Sequence, residues 1–569
     1  MSTYRSNFPV GSPRWATRRA QWKALGLTDD QISGPKIAVV NSSSKLAPCF
    51  SHLDQIATAT CQRLAGLGAV GFEVRTVAPT DFIMAAGAAG GYVLSSRDLV
   101  TADIEAAVEG GQLDAMICLA SCDKTTPGQL MAAARLDVPT VIVPCGYQPC
   151  GRADDGSPVD IEEVFLKAGH VASGAMSVED LCSMADRAIA GPGVCTGMGT
   201  ANTMHVVAEA LGMTVPGAAP VAANSSRMWQ TVHDSASTVL QALEHDRRPR
   251  RIMTEGAVRN AVAAVLAVSG SINAVKHLQA VVAELELGLD VGELFGELGE
   301  TVRPLSAVRP NGPDTIEAFD AAGGAWGVLH QLGPVVDREV TTVTGEEVGS
   351  VVDRLEDLDP EVIRPLTDPR GPHATIRILR GSLAPDGAIV KLSVTDARAD
   401  RAEGPAVVHD DAATAITAIH AGDVPPGSML VVRGLGPVGT PGMGMASNVV
   451  FAIDGAGLTG QVTVITDGQL SGLVNAGIVV GEVKPEAGEG GPLAQVRDGD
   501  TITVDLRSHR VDVELRDRSS DLPARERRES TPWLAAYAAT VGPLSEGAVL
   551  GRSQSTTDER TSLHAARTQ

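Results

Sequence analysis

The 569-residue chain is short of positive charge: 46 Lys and Arg stand against 68 Asp and Glu, a formal charge of −22 at pH 7. That balance argues against nucleic acid and anionic membrane surfaces as partners. It says little about a small anionic substrate, which answers to the local field of its pocket. No run approaches 18 consecutive apolar residues, so no membrane span is expected. The start, Met1-Ser-Thr-Tyr-Arg-Ser-Asn-Phe-Pro9, lacks the apolar core of a signal peptide. No tandem repeat is present. The eight cysteines are too scattered for a disulfide framework and lack zinc-finger spacing. A reducing cytoplasm is the expected home, where cysteines more often serve metals or catalysis.

What is present describes a soluble globular protein, with 44% hydrophobic and 20% charged residues. The length calls for two or three domains. Residues 14–25 read as a basic helical arm before a buried strand at 36–41. A helix at 52–65 ends at Gly66 and Gly68, and a strand follows at 73–77. Residues 97–108 read as helix, 113–119 as a buried strand and 138–143 as another strand, the alternation of a parallel α/β sheet. Ser177-Val-Glu-Asp180 opens a helix as a capping box. Apolar helical patterns then dominate to about residue 332. Residues 359–372 carry four prolines among charges, a linker signature. Beyond it, short β-rich segments near 376–379, 388–394, 428–433, 462–466, 501–506 and 510–515 alternate with Gly/Pro turns, with few long helices between them. The expected organisation is an N-terminal α/β domain over 1–360, a mainly β, barrel-like domain over 375–550 with a helix near 531–541, and a disordered polar tail at 551–569.

The chain is organised around Ala120-Ser-Cys-Asp-Lys-Thr-Thr-Pro-Gly128. This turn links a buried strand to a helix with Pro127 in its first turn. The crevice beyond the carboxyl end of such a strand is where α/β sheets hold ligands. A thiol, a carboxylate and an amine stand there on successive residues, Cys122, Asp123 and Lys124. A plain loop with a buried Cys and a solvated Asp–Lys pair is the competing reading at this point. Cys49 and Cys195 share the context, each in a Gly/Pro/Ser-rich turn before a helix, where a helix N-terminus favours thiolate. Three such thiolates could hold an iron–sulfur cluster and leave one iron without a protein ligand, open as a Lewis acid. Cys61, Cys118 and Cys182 fall within apolar patterns and read as core packing. Cys145 and Cys150 read as turn residues, with support of a cluster or a redox pair as the lesser alternative.

Ser121-Cys-Asp-Lys-Thr-Thr-Pro-Gly128 followed by Met131-Ala-Ala-Ala-Arg135 resembles the first signature of the dihydroxy-acid and sugar-acid dehydratase family. Cys195 through Thr203-Met204, Gly381-Ser-Leu-Ala-Pro-Asp-Gly387 and Thr466-Asp-Gly-Gln-Leu-Ser-Gly472 are similar to further motifs of that family, and the resemblance runs from about Arg19 to Gly547. Thr200-Ala-Asn-Thr-Met204 leans toward the dihydroxy-acid branch. The resemblance implies elimination of water from a 2,3-dihydroxy carboxylate to give a 2-oxo acid. It implies an iron–sulfur cluster on Cys49, Cys122 and Cys195, usually 2Fe-2S and in some relatives 4Fe-4S. It implies Mg2+ on Asp81, Asp123 and a carbamylated Lys124, Ser471 as the base, and a homodimer or homotetramer. Carbamylation needs a neutral amine, so the Lys124 pKa is expected to be lowered by burial and nearby positive charge.

The sequence also departs from the family pattern. Pro441-Gly-Met-Gly-Met-Ala446 puts Met445 where the family carries a glutamate ligand of Mg2+, and a thioether is a poor ligand for a hard cation. Phe82 replaces a glycine beside Asp81, Val474 replaces a threonine beyond Ser471, and Lys45 replaces a glutamate before Cys49. The iron side therefore reads as intact and the magnesium and substrate side as altered. Two functions follow: a dehydratase with a remodelled pocket, or a non-catalytic iron–sulfur scaffold.

Overall fold

The computed structural model describes residues 4–153, 155–355, 358–394, 399–472, 474–516 and 530–551. From residue 552 on, the expected polar tail lies outside the described residues.

Four strands, β1 (Lys36–Asn41), β2 (Val70–Arg75), β3 (Ala115–Ala120) and β4 (Thr140–Pro144), form a parallel sheet in the order β2-β1-β3-β4. Every residue of β1, β3 and β4 is buried, as strands covered on both faces must be. The helices Leu53–Gly66, Gly91–Gly111 and Thr125–Leu136 make the crossovers that parallel pairing requires. β2 begins three residues earlier than its sequence suggests, because its ladder with β1 starts at Lys36↔Val70. A two-residue hairpin, β5 (Gly151–Arg152) with β6 (Pro158–Val159), follows. Helices then dominate, and in Thr200–Ala210 every residue is buried, leaving no solvent face.

The C-terminal part is built on eight strands: β7 (Ile376–Leu379), β8 (Gly387–Lys391), β9 (Arg401–His409), β10 (Met429–Val432), β11 (Thr463–Thr466), β12 (Val479–Lys484), β13 (Thr501–Asp505) and β14 (Arg510–Glu514). Their order is β14-β13-β9-β10-β11-β12-β8-β7. The two ends nearly close into a barrel: the Arg380 N–H donates to the His509 carbonyl at 2.9 Å, and the Val511 N–H donates to the Arg380 carbonyl at 3.1 Å. Alternate side chains divide between two cores. Met429 and Val431 of β10 fill the barrel, while Leu430 and Val432 face the core shared with the N-terminal part.

Two expectations change here. β9 and β12 are strands that the sequence conceals, since β9 opens on charged residues and β12 carries Glu482 and Lys484. Helices also intervene, at Ala412–Ala421 and Ser447–Gly455, because β9, β10 and β11 are parallel neighbours and need crossovers. Among the described residues no helix is long and apolar enough to cross a membrane.

Candidate active site

The turn after β3 is locked from within. Thr125 Oγ1 accepts from the Ser121 N–H at 3.1 Å and donates to the Cys122 carbonyl at 2.8 Å. Ser121 Oγ donates to the Cys49 carbonyl at 2.5 Å, which joins this turn to the short helix Pro48–Phe50. Behind it, the Ser121 carbonyl lies 3.1 Å from Nε2 of His205, whose pKa burial lowers to about 4, so the ring is neutral and Nε2 is assigned as the donor. The third turn is held by Asn202, whose Nδ2 donates to the carbonyls of Cys195 and Gly197, both at 2.8 Å. The Gly193 N–H reaches the Pro48 carbonyl at 3.4 Å. The turns of Cys49, Cys122 and Cys195 thus share one framework of side-chain and backbone hydrogen bonds.

The Cys49 and Cys122 thiols are neighbours, and Cys195 lies near enough to feel Cys49. The Cys122 thiol shares a hydrogen bond with Cys49, which together with burial and the nearby charges of Asp123 and Asp81 pushes its pKa well up. Burial raises Cys195 as well, reinforced by Glu162, Asp123 and Cys49. The expected thiolate stabilisation is therefore overturned for these two: low-dielectric surroundings and negative neighbours outweigh any helix-terminus effect. A metal that displaces the protons would supply the missing positive charge.

Asp81 opens the short helix Asp81–Met84 and places Oδ2 2.9 Å from Nζ of Lys124, a fully buried side chain. Asp81 Oδ1 is buried without a partner. Burial and then the charge of Asp81 raise the Asp123 pKa to about 7. For Lys124, burial pulls the pKa down, but Asp81 and Asp123 outweigh it and the net direction is up. This corrects the expectation of a lowered lysine pKa. Two carboxylates, rather than cations, surround the amine and hold it as ammonium.

One cavity of about 240 Å³ brings some of these groups together, while Cys49, Cys122 and Lys124 lie behind its wall. Asp81, Asp123 and Cys195 line it from the N-terminal part, and Met445 and Ser471 from the C-terminal part. Ser471 is positioned by its own N–H, which donates to Ser447 Oγ at 2.7 Å. Asn273 Nδ2 ties the adjoining Leu470 carbonyl (3.2 Å) to Thr200 Oγ1 (3.1 Å), carrying the loop against the N-terminal helices. The Met445 N–H donates to the Ala89 carbonyl at 2.9 Å. Phe82 forms an aromatic wall with Phe165 (ring centroids 5.3 Å, edge-on), which meets Phe451 at 4.8 Å. Lys45 is exposed and Val474 is buried.

The remaining cysteines stand apart in character. Cys118 and Cys145 are buried, Cys61 and Cys150 are half-buried, and all eight cysteines are free. Cys182 is exposed, which corrects its reading as a core residue: the helix Val178–Ala185 has no buried residue and turns that face to solvent. Sequence reasoning missed Glu162, a buried carboxyl on the cavity wall, together with Phe165 and Phe451. The run Asp160-Ile-Glu-Glu163 reads as an ordinary acidic helix start, with Asp160 accepting from the Glu163 N–H.

Among the described residues no three His, Cys, Asp or Glu side chains already stand as a group able to hold a metal ion. The donor chemistry nonetheless fits the implied groups. Three thiol turns adjoin, an unpartnered carboxylate oxygen of Asp81 borders the cavity, and the Lys124 ammonium serves where a divalent cation would compensate the carboxylates.

Residues 34–351 match the profile described as dihydroxy-acid/6-phosphogluconate dehydratase N-terminal, and residues 361–548 the corresponding C-terminal profile. The chain is 36% identical over 546 residues to dihydroxy-acid dehydratase 1 of Methanosarcina acetivorans, covering 95% of this chain and 98% of that protein. It is 36% identical over 508 residues to the dihydroxy-acid dehydratase of Ignicoccus hospitalis, covering 88% and 90%. Against that of Methanothermobacter thermautotrophicus it is 37% identical over 540 residues, covering 94% and 98%.

Proposed function

Because the chain belongs to the dihydroxy-acid/6-phosphogluconate dehydratase family, we propose that it is a hydro-lyase converting a 2,3-dihydroxy carboxylic acid to a 2-oxo acid. The observation that carries this reading is the single cavity lined by Asp81, Asp123 and Cys195 on one side and Ser471 on the other. Cys49, Cys122 and Cys195 would hold an iron–sulfur cluster, 2Fe-2S ahead of 4Fe-4S, and Asp81, Asp123 and a carbamylated Lys124 would hold Mg2+. When bound, these groups supply Lewis-acid assistance to the departing C3 hydroxyl and charge compensation for the substrate carboxylate and C2 hydroxyl.

The chain's own residues do the rest. Ser471, as the alkoxide, takes the C2 proton and becomes the hydroxyl as the C3 group leaves as hydroxide, and the resulting enol tautomerises to the ketone. The Ser447 contact fixes the Ser471 backbone, and the Leu470 carbonyl is anchored by Asn273, so the base is held against the N-terminal wall. Phe82, itself partly exposed, and Phe165 give the cavity an apolar flank that favours a substrate with an apolar branch over a polyol. Once a cation compensates Asp81 and Asp123, burial dominates at Lys124 and favours the neutral amine that carbamylation requires. The reading also takes the chain as two domains, 1–360 and 375–550, assembling as a homodimer or homotetramer. Eight free cysteines suit a reducing cytoplasm.

Met445 favours the second reading, a non-catalytic iron–sulfur scaffold, because it offers no hard ligand at the cavity. Anaerobically reconstituted protein, with iron, sulfide and divalent metal verified, is assayed on 2,3-dihydroxyisovalerate and on sugar acids. Formation of 2-oxo acid supports the enzyme, and Ser471→Ala should lower turnover by about 10²–10⁴-fold at unchanged iron content. No product from any diol acid would leave only the scaffold.

A further inference from the structure

Three acids open the helix Ile161–Ala172, and two of them are occupied. Arg309 Nη2 pairs with Asp160 at 3.2 Å and with Glu163 at 3.0 Å. Glu162 instead turns inward. It is 5% exposed, lines the same cavity as Cys195 and Asp123, and leaves Oε2 buried with no hydrogen-bond partner. The turn after Cys195 is shaped to admit it: a Cβ on Gly197 would come within 2.4 Å of Oε2, and one on Gly199 within 2.7 Å of Oε1. A buried carboxyl without a partner is costly to ionise, and the nearby charges of Asp160 and Asp123 add to that cost. Asp81 Oδ1 is a second unpartnered buried oxygen on the same cavity. Lys124 forms its ion pair with Asp81. Three carboxyl groups thus line one cavity, with Lys124 paired to only one of them, and a cation there would let all three ionise.

We infer that Glu162 is the third carboxylate of the divalent-cation site, supplying from the Ile161–Ala172 helix the negative charge that Met445 does not provide. The inference rests on the metal assignment of the proposed function and deepens it. Because Mg2+ keeps several of its waters, Glu162 acts on the ion either as a ligand or through one of those waters, and its charge belongs to the site in both cases.

The test is Mn2+ binding to full-length, cluster-reconstituted protein, followed by the electron paramagnetic resonance signal of free Mn2+. Glu162→Gln should weaken Mn2+ binding by about 10–100-fold, with iron and sulfide content unchanged. Adding Met445→Glu to that variant should recover at least part of the loss, since either position can bring the third charge. Glu162→Asp keeps the charge on a shorter stem and should fall between parent and Gln, which guards against a fold defect in any one variant. Unchanged Mn2+ affinity in Glu162→Gln overturns the inference, as does loss of iron and sulfide with Mn2+ affinity intact. A parent that binds no Mn2+ overturns it too. Failure of the dehydratase reading is seen separately, as absence of 2-oxo acid from a protein that binds Mn2+.

Discussion

The segment that carries Met445 to the cavity meets the helix Gly91–Gly111 backbone on backbone, and one methyl group should disturb that contact. A Cβ added at Gly91 would sit 2.2 Å from the Pro441 carbonyl oxygen, and a Cβ at Gly442 would sit 1.9 Å from the Gly91 carbonyl oxygen. An ordinary carbon–oxygen contact is about 3.4 Å. Gly91→Ala therefore requires the segment at Pro441 to retreat by roughly 1.2 Å. No rotamer can relieve the clash. The same segment carries Met443, buried against Leu94 and Tyr537, and Met445, bonded through its N–H to Ala89. Its retreat moves one rim of the cavity relative to Asp81. Overpacking of this kind costs about 1–3 kcal/mol of stability. A displacement near 1 Å at a reacting centre costs about 10²-fold in rate. The assay is kcat/KM for 2-oxo acid formation, with thermal unfolding and iron content measured alongside. Gly110→Ala is the control: it lies in the same helix with no atom within 4 Å of the new methyl, and should be neutral or stabilising. A Gly91→Ala protein with the parent's kcat/KM would refute the claim that this approach sets the site.

Two further outcomes test the frame around it. Arg97 and Asp98 form a buried pair at 3.1 Å; Arg97 donates to the Ala548 carbonyl at 2.6 Å and Asp98 accepts from the Leu550 N–H at 3.0 Å. Arg97→Met should destabilise by about 3–5 kcal/mol in urea unfolding and expose residues 530–551 to protease, while Arg97→Met with Asp98→Leu should cost less; equal losses would refute the pairing. Glu209 accepts N–H donors from Gly217, Ala218 and Ala219, yet burial raises its pKa from 4.5 to about 7. The folded state keeps that proton where the unfolded chain has lost it, so stability falls as pH rises from about 4.5 to about 7, by on the order of 3 kcal/mol in all. Glu209→Gln should remove that slope from the pH dependence of the unfolding temperature, and a difference between parent and variant that is flat with pH would sink the assignment.

Much of the frame was legible because its signals are local. The strand at Lys36–Asn41 and the helix at Leu53–Gly66 follow from apolar patterns and a glycine stop within a few residues. β9 and β12 were not, because their strand character comes from neighbours in the ladder. Glu482 is tolerated in β12 only because Lys276, far away in sequence, forms a buried ion pair with it.

The order of residues alone therefore determined the three cysteine turns, the Asp123–Lys124 pair after β3 and the parallel α/β start. Tertiary structure decided which of those groups meet, and in what charge state. It turned Glu162 inward while Glu163, the next residue, went to Arg309. It also surrounded Lys124 with carboxylates, which reverse the downward pull of burial on its pKa. The reason is range. Caps and periodicity act over one or two turns of chain, whereas burial and charge are set by whatever distant segments fold against a side chain.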